Sequence, residues 1–590
     1  MILKLLLLGK NSMRRPTGVV VIVLCLFVLV CGFLTAKYIV RHRYYVINLL
    51  RKGEANVFVK NSSEPALALF SFQQGTPNYM LYSFPHYTIR LCDINNWDVN
   101  REEIAKIADS IPLMITVETW GKNRKSSFLN NPIKYVLKGK YNYVIEQLCT
   151  QFVGSRPNVY FRFNPEMEVP GTRYPWQRYG PGYIEAFRHF ASLCKTYAPQ
   201  VKQVWGPAGY PGAMEFYPGD DLVDAASITL KSESEIPIKK YPTDYPVAYD
   251  LYRRLHRLRF IDKPIFVMGS KQAPNDSINQ QVVTHITKTI NQERSIVYSP
   301  ENFKRPESRF VSNKRSEIEI GLYDPQSLLN QEKQVTVEHL FVDFGSLADG
   351  TFQNRFNQVV ERGHKIIVTF EPFRIPNRET DLEVLQHITE GNYDHEIQHL
   401  YSIIGSTKRQ VFLRYAHEME IPVTRYPWQS QDPVTYIKSF RYFMTFHDSL
   451  PANIKRIWGP AGDRGSLEWW PGADVVDYIS IAIYGLPDKN ITDPEKQESF
   501  STIFNRKYWR FRFIDKPLFI TEFGVKGPEE YQTKWLENAA KVIRKNPQIV
   551  GVNYFNMSDT PKAWGDIKPP DWSISKKSFY HFLNILNEKL

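Results

Sequence analysis

The sequence predicts an α/β protein made of two tandem (β/α)8 barrels that follow an apolar amino-terminal helix. Three observations predict this fold: a long internal repeat, alternating apolar runs and helical stretches, and a chain of 590 residues. This length suits two large domains. Hydrophobic residues make up 43% of the chain and aromatic residues 14%, which provides two sizeable cores and excludes a disordered chain.

The repeat has an almost constant offset along the chain. The repeated blocks are Thr172–Gln177 with Thr424–Gln429, Trp205–Gly209 with Trp458–Gly462, Tyr217–Asp224 with Trp470–Asp477, and Arg259–Pro264 with Arg512–Pro517. The offset is 252 or 253 residues, far longer than the repeat of a solenoid, which is about 20–50 residues. The pattern therefore indicates a tandem duplication of a whole domain.

Each copy alternates short apolar runs with longer helical stretches. In the second copy the eight runs are Glu317–Tyr323, Val337–Phe344, Lys365–Glu371, Val411–Tyr415, Arg456–Trp458, Tyr478–Tyr484, Leu518–Glu522 and Ile549–Phe555. Helical patterns such as His395–Ile404 and Pro433–Phe446 lie between them. Uniform alternation with eight buried strands favours a closed parallel (TIM) barrel, with a doubly wound open sheet as the alternative. Corresponding runs in the first copy extend from Ala66–Phe72 to Ser295–Tyr298.

An uncharged, mostly apolar segment covers residues 18–36 near the amino terminus. Its 19 residues match the length of a membrane-spanning helix, and Leu34 is poorly suited to the −3 position of a cleavage site after Ala36. We therefore predict a retained single-pass anchor. The full division is a tail (1–17), an anchor (18–36), a stalk (37–64), a degenerate barrel (65–300), a linker (301–313) and a catalytic barrel (314–590).

The positive charge of the chain is concentrated beside this segment. The formal net charge is +13, but nine basic residues lie in residues 1–53, which contain no acidic residue, so the remainder carries only +4. This distribution is typical of a membrane flank and argues against a nucleic-acid partner. The five cysteines have no metal-ligand spacing and are too few for a disulfide framework in a chain of this length.

Two carboxylates close opposing strands of the second copy. Glu418 follows the fourth apolar run, Glu522 ends the seventh, and Tyr484 ends the sixth. The nearby tryptophans are Trp428, Trp458, Trp469 and Trp470. Barrel active sites lie at the carboxyl ends of the strands. Hydrolysis of a sugar acetal needs one carboxylic acid to protonate the leaving oxygen and one carboxylate at the anomeric carbon, and tryptophans provide platforms for sugar rings.

These motifs together resemble glycoside hydrolase family 26. The resemblance is carried by His-Glu-Met at 417–419, Tyr-Pro-Trp at 426–428, Trp-Gly-Pro at 458–460, Trp-Pro-Gly-Ala-Asp-Val-Val-Asp at 470–477, and a strand that ends at Glu522. Gly391–Asp394 also resembles a stretch that precedes strand four in that family. The resemblance covers about 314–590 and, more weakly, about 65–300. It implies a retaining (β/α)8 hydrolase of clan A, whose members include β-mannanases and some β-glucan and β-xylan hydrolases.

The resemblance also implies roles for single residues. Glu418 would be the acid/base, Glu522 the nucleophile, and Tyr484 a hydrogen-bond donor to the nucleophile. A retaining mechanism predicts that the two carboxyl groups lie about 5–5.5 Å apart.

Further residues would bind the substrate. The resemblance implies that His417 lines the sugar at the cleavage point, that Arg414 lies beneath the site, and that Trp428 is a sugar platform. Trp458 is a further aromatic candidate. Glu371 ends strand three, where the family often carries an acidic residue, so a sugar contact is expected there.

One residue departs from the pattern beside the acid/base. The family usually has asparagine after His-Glu-Met, and this chain has Glu420. A second carboxylate near Glu418 would raise the proton affinity of one of the two. Glu420 could strengthen the acid, recognise a basic or amino sugar, or serve only as an exposed ion-pair partner.

The first copy has lost more of the pattern. Glu166 corresponds to Glu418, but Pro165 replaces the histidine, Gly269 stands at the nucleophile position and Lys231 at that of Tyr484. A barrel without a nucleophile cannot carry out double displacement. We predict a catalytically inactive pseudoenzyme domain that retains the aromatic residues Trp176, Trp205 and Tyr217 and could still bind glycan.

The sequence therefore predicts a membrane-anchored, endo-β-mannanase-like glycoside hydrolase that acts on a β-linked polysaccharide, either mannan-like or an exopolysaccharide. The bulk of the chain is expected in the periplasm or outside the cell, because extended polysaccharides are degraded outside the cytoplasm. No metal, nucleotide or redox cofactor is predicted, and no protein partner is indicated. The alternative is a non-catalytic glycan-binding scaffold of a polysaccharide synthesis or export assembly.

Overall fold

The computed structural model describes most of the chain in separate ranges. These are residues 18–41, 58–60, 66–69, 78–91, 101–120, 131–155, 158–171, 173–177, 180–232, 234–235, 245–270, 277–299, 317–421, 425–429, 431–447, 450–485, 498–559 and 568–588. The predicted linker, residues 301–313, lies outside them.

The amino-terminal half contains an open sheet. Its strands within the described ranges are β1 (Phe58–Lys60), β2 (Ala66–Leu69), β3 (Asn78–Ser83), β4 (His86–Arg90), β5 (Leu113–Glu118), β6 (Val159–Phe163), β7 (Lys202–Trp205), β8 (Ala225–Thr229) and β9 (Ile265–Met268). Their order is β1-β4-β5-β6-β7-β8-β9-β2-β3. The strands from β4 to β9 are parallel.

The prediction of a second complete barrel is wrong for the described part of this half. Strand β2 runs antiparallel to β9, and β1 runs antiparallel to β4, so neither edge continues the parallel sheet. The run Ser295–Tyr298 forms turns rather than a strand. A short apolar run suits an antiparallel edge as well as a parallel barrel strand, which is why its pattern did not distinguish the two.

The helices of this half lie largely between successive strands. They are α1 (Gly18–Arg41), α2 (Arg101–Ser110), α3 (Pro132–Leu137), α4 (Asn142–Thr150), α5 (Gly180–Tyr197), α6 (Val247–Arg257) and α7 (Gln280–Gln292). Within α1 the side chains of residues 24–37 are described. Among the residues whose side chains are described, no helix is both long enough and apolar enough to span a membrane.

The carboxy-terminal half forms the closed parallel barrel that the sequence predicts. Its strands are β10 (Glu319–Tyr323), β11 (Val337–Asp343), β12 (Lys365–Glu371), β13 (Val411–Tyr415), β14 (Ile454–Trp458), β15 (Tyr478–Ile479), β16 (Ala482–Gly485), β17 (Leu518–Val525) and β18 (Ile549–Phe555). Strands β15 and β16 share the sixth position. The pairings β15–β17 and β10–β18 close the barrel.

Eight helices accompany these strands within the described residues. They are α8 (Phe344–Ala348), α9 (Thr351–Arg362), α10 (Val384–Thr389), α11 (Asp394–Ile404), α12 (Pro433–Met444), α13 (Phe500–Arg510), α14 (Glu529–Lys545) and α15 (Lys576–Asn587). The start of α12 follows from its sequence. The Asp432 side chain accepts from the Thr435 N–H, and Pro433 occupies the first helical turn, where its missing N–H costs nothing.

The barrel interior explains how the strands present the site. Strands β12 and β17 are buried almost throughout, as expected for parallel strands that are covered on both faces. An apolar layer of Val337, Ile367, Phe412, Ile457 and Phe519 fills the interior. The strands therefore form a rigid frame, and polar side chains at their carboxyl ends are held in place by a packed core.

The two halves contact each other through polar groups that recur at the offset of 253. Arg259 Nη2 donates to the Leu467 carbonyl oxygen at 3.2 Å, and Arg512 Nη2 donates to the Met214 carbonyl oxygen at 3.1 Å. Both the donors and the acceptors differ by 253 residues. The contact therefore has the self-complementary pattern of a two-fold interface, within a single chain.

Glu468 is the buried carboxylate of this interface. Burial opposes its ionisation, but Arg257 and Arg253 more than offset that effect and lower the pKa of Glu468 to about 2. The Arg253 and Arg257 guanidinium nitrogens lie 2.8 and 3.1 Å from its carboxylate. A depressed pKa stabilises the fold above the unfolded value of 4.5, and that stability is lost as the pH falls from 4.5 towards 2.

We expect Glu468→Gln to lower the free energy of unfolding by about 3 kcal/mol at pH 7, because a charge-paired carboxylate is lost. The difference between the parent and the variant should shrink below pH 4.5 and vanish near pH 2. Denaturant unfolding of both proteins across this pH range measures it. A difference that does not change with pH would contradict the assigned ion pairs.

Candidate active site

The chain turns sharply after β13, and this turn carries His417 and Glu418. Ala416 and Glu418 adopt left-handed backbone conformations, with φ of 41° and 54°. Such angles cost energy for residues with a Cβ atom and cluster at functional sites. The Glu418 N–H donates to the Gly459 carbonyl oxygen at 2.9 Å, which ties this turn to the end of β14.

Glu522 lies in β17 and is buried, with 6% of its surface exposed. Arg414 donates to one of its carboxylate oxygens, and Tyr484 OH donates to the other at 2.8 Å. Both carboxylate oxygens of Glu522 are thus held by hydrogen-bond donors. The structure thus brings together Arg414, Tyr484 and Glu522 in the arrangement that the sequence predicts.

Arg414 lies beneath the site and is anchored by hydroxyl groups. Its Nε atom donates to Thr369 Oγ1 at 2.8 Å, and its Nη1 atom donates to Thr521 Oγ1 at 2.9 Å. A Cβ atom at Gly459 would come within 2.5 Å of Arg414 Cδ. Glycine is therefore required at 459, because a residue without a Cβ atom leaves room for the aliphatic part of the Arg414 side chain.

Glu418 has an environment that favours its protonated form. Burial raises its pKa to about 8, and the negative charges of Glu522 and Glu420 act in the same direction. Lys507 and Arg414 oppose the increase. A raised pKa of this kind suits a group that donates a proton near neutral pH.

His417 and Glu371 lie side by side near this pair. His417 Nε2 is 3.9 Å from Glu371 Oε1, and both residues are buried. Burial, followed by the charge of Arg414, holds the pKa of His417 well below its usual value, so the imidazole is neutral. Burial raises the pKa of Glu371 to about 7, although the positive charge of Arg374 opposes this. The negative charge of Glu522 adds to the increase.

The predicted tryptophan platforms are instead part of the core. Trp428 and Trp458 are both fully buried. The Trp428 indole N–H donates to the His417 carbonyl oxygen at 2.8 Å, so this side chain holds the turn after β13 rather than facing a sugar. Trp458 packs edge to face on Trp470 with ring centroids 5.1 Å apart. The prediction that Trp428 and Trp458 contact substrate is not supported by these positions.

Half-buried aromatic rings that the sequence analysis did not identify lie at the mouth of the barrel. Tyr323, Phe341 and Phe555 end or approach the ends of β10, β11 and β18. Tyr323 packs against Phe341 at 5.0 Å and Phe555 at 4.7 Å, and Phe341 lies 5.9 Å from His417. Their positions at or near the ends of predicted strands could have identified them from the sequence. These rings can offer apolar faces to a sugar where the tryptophans cannot.

Glu420 is buried and bound to backbone groups, with 4% of its surface exposed. Its Oε1 atom accepts from the N–H groups of Gly462 and Asp463 at 2.9 and 3.0 Å and from Ser466 Oγ at 2.8 Å. The expectation of an exposed ion pair or of an amino-sugar contact is therefore not supported. Glu420 fixes the loop after β14, and its charge raises the pKa of Glu418.

We expect Glu420→Ala to destabilise the protein by about 3 kcal/mol, because several buried donors would lose a charged acceptor. Thermal and denaturant unfolding of the full chain measure the change. Glu361→Ala, at an exposed position of α9, is the matched control and should remain within about 0.5 kcal/mol of the parent. An equally small effect at Glu420 would show that these hydrogen bonds do not hold the loop.

In the amino-terminal half, Glu166 stands 252 residues before Glu418. Glu166 has φ of 59° and accepts from Ser232 Oγ and Ser234 Oγ, each at 2.6 Å. Arg162 donates to Ser227 Oγ at 2.7 Å. The residue 253 positions before Glu522 is Gly269, just after β9. The Glu166 side chain is thus held by hydroxyl groups, and glycine places no carboxylate at the position that corresponds to Glu522.

Comparisons with known proteins yield partial similarity. No family model matches the chain. A β-1,3-xylanase from Alcaligenes sp. is 28% identical over 155 residues, which are 25% of this chain and 29% of the relative. The β-1,3-xylanase TXYA from Vibrio sp. is 29% identical over 157 residues, 25% of this chain and 30% of the relative. The match thus spans less than a third of the length of either relative, both of which are glycoside hydrolases.

Solved structures also match at low identity. The structure of GH26C from Muricauda sp. MAR_2010_75 is 14% identical with a TM-score of 0.35, and the match covers 46% of this chain and 86% of that one. The structure of the Bacillus subtilis mannanase man26 is 15% identical with a TM-score of 0.26, covering 46% of this chain and 88% of that one.

Proposed function

We propose that this protein is a retaining glycoside hydrolase that cleaves a β-linked polysaccharide in its carboxy-terminal barrel. One observation carries the proposal: Glu418, in the turn after β13, and Glu522, in β17, lie near each other in one barrel and have different partners. Arg414 and Tyr484 donate to Glu522, whereas burial raises the pKa of Glu418 to about 8. One carboxyl group is thereby suited to attack and the other to donate a proton.

The proposed reaction is a double displacement. The Glu418 carboxylic acid donates its proton to the glycosidic oxygen while a Glu522 carboxylate oxygen bonds to the anomeric carbon and the leaving sugar departs. Water then attacks that carbon, Glu418 accepts the proton of the water, and the bond to Glu522 breaks. Tyr484 and Arg414 hold the Glu522 oxygens in position, which limits the motion needed to reach the transition state.

The proposed substrate class draws on the relatives and on the site. The xylanase relatives support β-1,3-xylan as a substrate, and the resemblance noted in the sequence supports β-mannan; endo-β-mannanase activity is the narrower proposal. Neutral His417 and the half-buried ring of Phe341 can contact an uncharged sugar. The charge of Glu522 already raises the pKa of Glu418 and of Glu371, and an acidic sugar would add a further negative charge there, which disfavours it at the cleavage point.

The test is hydrolysis by the full chain on β-1,3-xylan, β-mannan, β-glucan and extracted exopolysaccharides. Proton NMR of the first products reports the anomeric configuration. We expect turnover with net retention, and Glu166→Gln is the matched control because it removes the corresponding carboxylate of the other half. Binding of a glycan without turnover, unchanged when Glu418 and Glu522 are both replaced, would instead favour a non-catalytic scaffold.

We further propose that the chain is a tandem duplication whose amino-terminal half is non-catalytic. Gly269 at the nucleophile position and the serine hydroxyls on Glu166 support this. The control variant Glu166→Gln should therefore retain the turnover of the parent. A location outside the cytoplasm, periplasmic or extracellular, is supported by the proposed substrate, because extended polysaccharides are degraded there.

A further inference from the structure

We propose that Glu215, in the amino-terminal half, is a positioning residue for the acid/base side of the active site. The amino-terminal half would then be a structural part of the catalytic centre rather than a passive spacer. This inference rests on the proposed function of Glu418. It concerns one segment, the strand-five loop, which we define as residues 459–466 after β14.

Glu215 holds the strand-five loop from outside the barrel. Its Oε1 atom accepts from the Gly465 N–H at 3.1 Å, and its Oε2 atom accepts from Arg510 Nε at 3.0 Å. Arg510 Nη1 in turn donates to the Gly462 carbonyl oxygen at 2.7 Å. The Glu215 and Arg510 side chains are only 12% and 13% exposed, so water competes weakly for these contacts.

The same loop holds the acid/base from inside the barrel. The Gly459 carbonyl oxygen accepts from the Glu418 N–H at 2.9 Å. The Gly462 and Asp463 N–H groups both donate to Glu420, two residues beyond Glu418. The strand-five loop thus lies between Glu215 on one side and the left-handed turn of Glu418 on the other. A change at Glu215 reaches Glu418 through one segment of backbone.

Equivalent contacts occur in the interface at the offset of 253, but they hold a loop of the amino-terminal half. Arg257 donates to the Gly209 carbonyl oxygen at 2.8 Å and lies 3.1 Å from Glu468. The loop that it supports leads to Glu166, which is held by serine hydroxyls. Of these two equivalent contacts, the one made by Glu215 holds the loop beside Glu418, and Arg464 of the same loop also donates to the Glu168 carbonyl oxygen. Arg257 provides a matched control of similar chemistry in the same interface.

Loss of the Glu215 contacts should release the loop and admit water beside Glu418. Burial is the largest cause of the raised pKa of Glu418, so hydration should lower that pKa. Lys507, whose charge lowers the pKa of Glu418, also donates to the Ala461 carbonyl oxygen at 2.8 Å and would move with the loop. Its movement would oppose the fall in pKa, but burial is the larger cause, so a net fall is expected. The charged and titratable groups that face Glu418 are Glu522, Glu420, Lys507, Arg414, Tyr484 and Tyr426.

The experiment compares Glu215→Ala, Glu215→Gln and Arg257→Ala in the full chain on the best substrate. For Glu215→Ala we expect kcat to fall about 10-fold with KM changed less than about 3-fold, because a small displacement of a catalytic group is costly. The basic limb of the pH–kcat profile should move to lower pH. Glu215→Gln keeps one acceptor and should be intermediate, whereas Arg257→Ala should match the parent in both readouts.

A second readout does not depend on turnover. The pKa of Glu418 is followed by carbon NMR of carboxyl-labelled glutamate, with the resonance assigned by its loss in Glu418→Gln. A lower pKa in Glu215→Ala but not in Arg257→Ala supports the inference even if no substrate is found. An unchanged pKa and kcat in Glu215→Ala, or equal changes in both variants, would overturn it. A parent without turnover on any substrate would count against the proposed function alone.

Discussion

Glu522→Ala lowers kcat/KM on the β-linked substrate by about 10^4-fold or more, because no other group can form the covalent intermediate. Alanine also leaves Arg414 and Tyr484 without the carboxylate to which they donate. Steady-state kinetics with the full chain measure the loss. The site should keep its shape, since Arg414 retains its contacts with Thr369 and Thr521.

A chemical rescue separates loss of the nucleophile from loss of the fold. Azide occupies the space of the missing carboxylate and attacks the opposite face of the anomeric carbon. We expect partial recovery of turnover on an activated aryl glycoside, with an α-glycosyl azide as product. The control is Glu361→Ala at an exposed position, which should retain full activity. Full activity in Glu522→Ala would refute the assigned role.

Glu418→Gln should lower kcat on the polysaccharide by about 10^2- to 10^4-fold, the contribution of a general acid. The loss should be much smaller on an aryl glycoside, whose leaving group needs no proton, until hydrolysis of the intermediate becomes limiting. Parallel kinetics on the two substrates measure this difference. An equal loss on both would indicate a role other than proton donation.

The pH dependence of the parent follows from the same residue. Because burial raises the pKa of Glu418 to about 8, the protonated acid persists at neutral pH. Activity should therefore fall on the basic side as the pH rises through about 8, when Glu418 loses its proton. Glu418→Gln should lack this limb, because the amide does not titrate. A basic limb that remains in the variant would assign it to another group.

The barrel of the carboxy-terminal half could be predicted closely because each strand is a compact apolar run. The bounds of β12, β13 and β18 agree with the predicted runs residue for residue. The amino-terminal half could not be predicted in the same way. Its first predicted run, Ala66–Phe72, contains β2 (Ala66–Leu69), which pairs antiparallel with β9. Strand direction depends on tertiary contacts that so short a pattern does not encode.

The site residues that could be predicted are those whose place at the end of a given strand follows from the order of the strands along the chain. Arg414, Glu522 and Tyr484 lie together because their strands occupy neighbouring or facing positions of one barrel. The environments of Trp428 and Glu420 could not be predicted, because each is defined by a hydrogen bond to a backbone group. For Glu420 those groups are 41 to 43 residues away. The contacts of Glu215 with the opposite half were equally invisible in the sequence.

The most direct test of the central claim is to trap the covalent intermediate. The full chain is incubated with a 2-deoxy-2-fluoro glycoside of the sugar that it hydrolyses, carrying an activated leaving group, and its peptides are analysed by mass spectrometry. The account predicts one added sugar on the peptide that contains Glu522, and no label in Glu522→Ala. A label on another carboxylate, or turnover with inversion and no label at all, would contradict it.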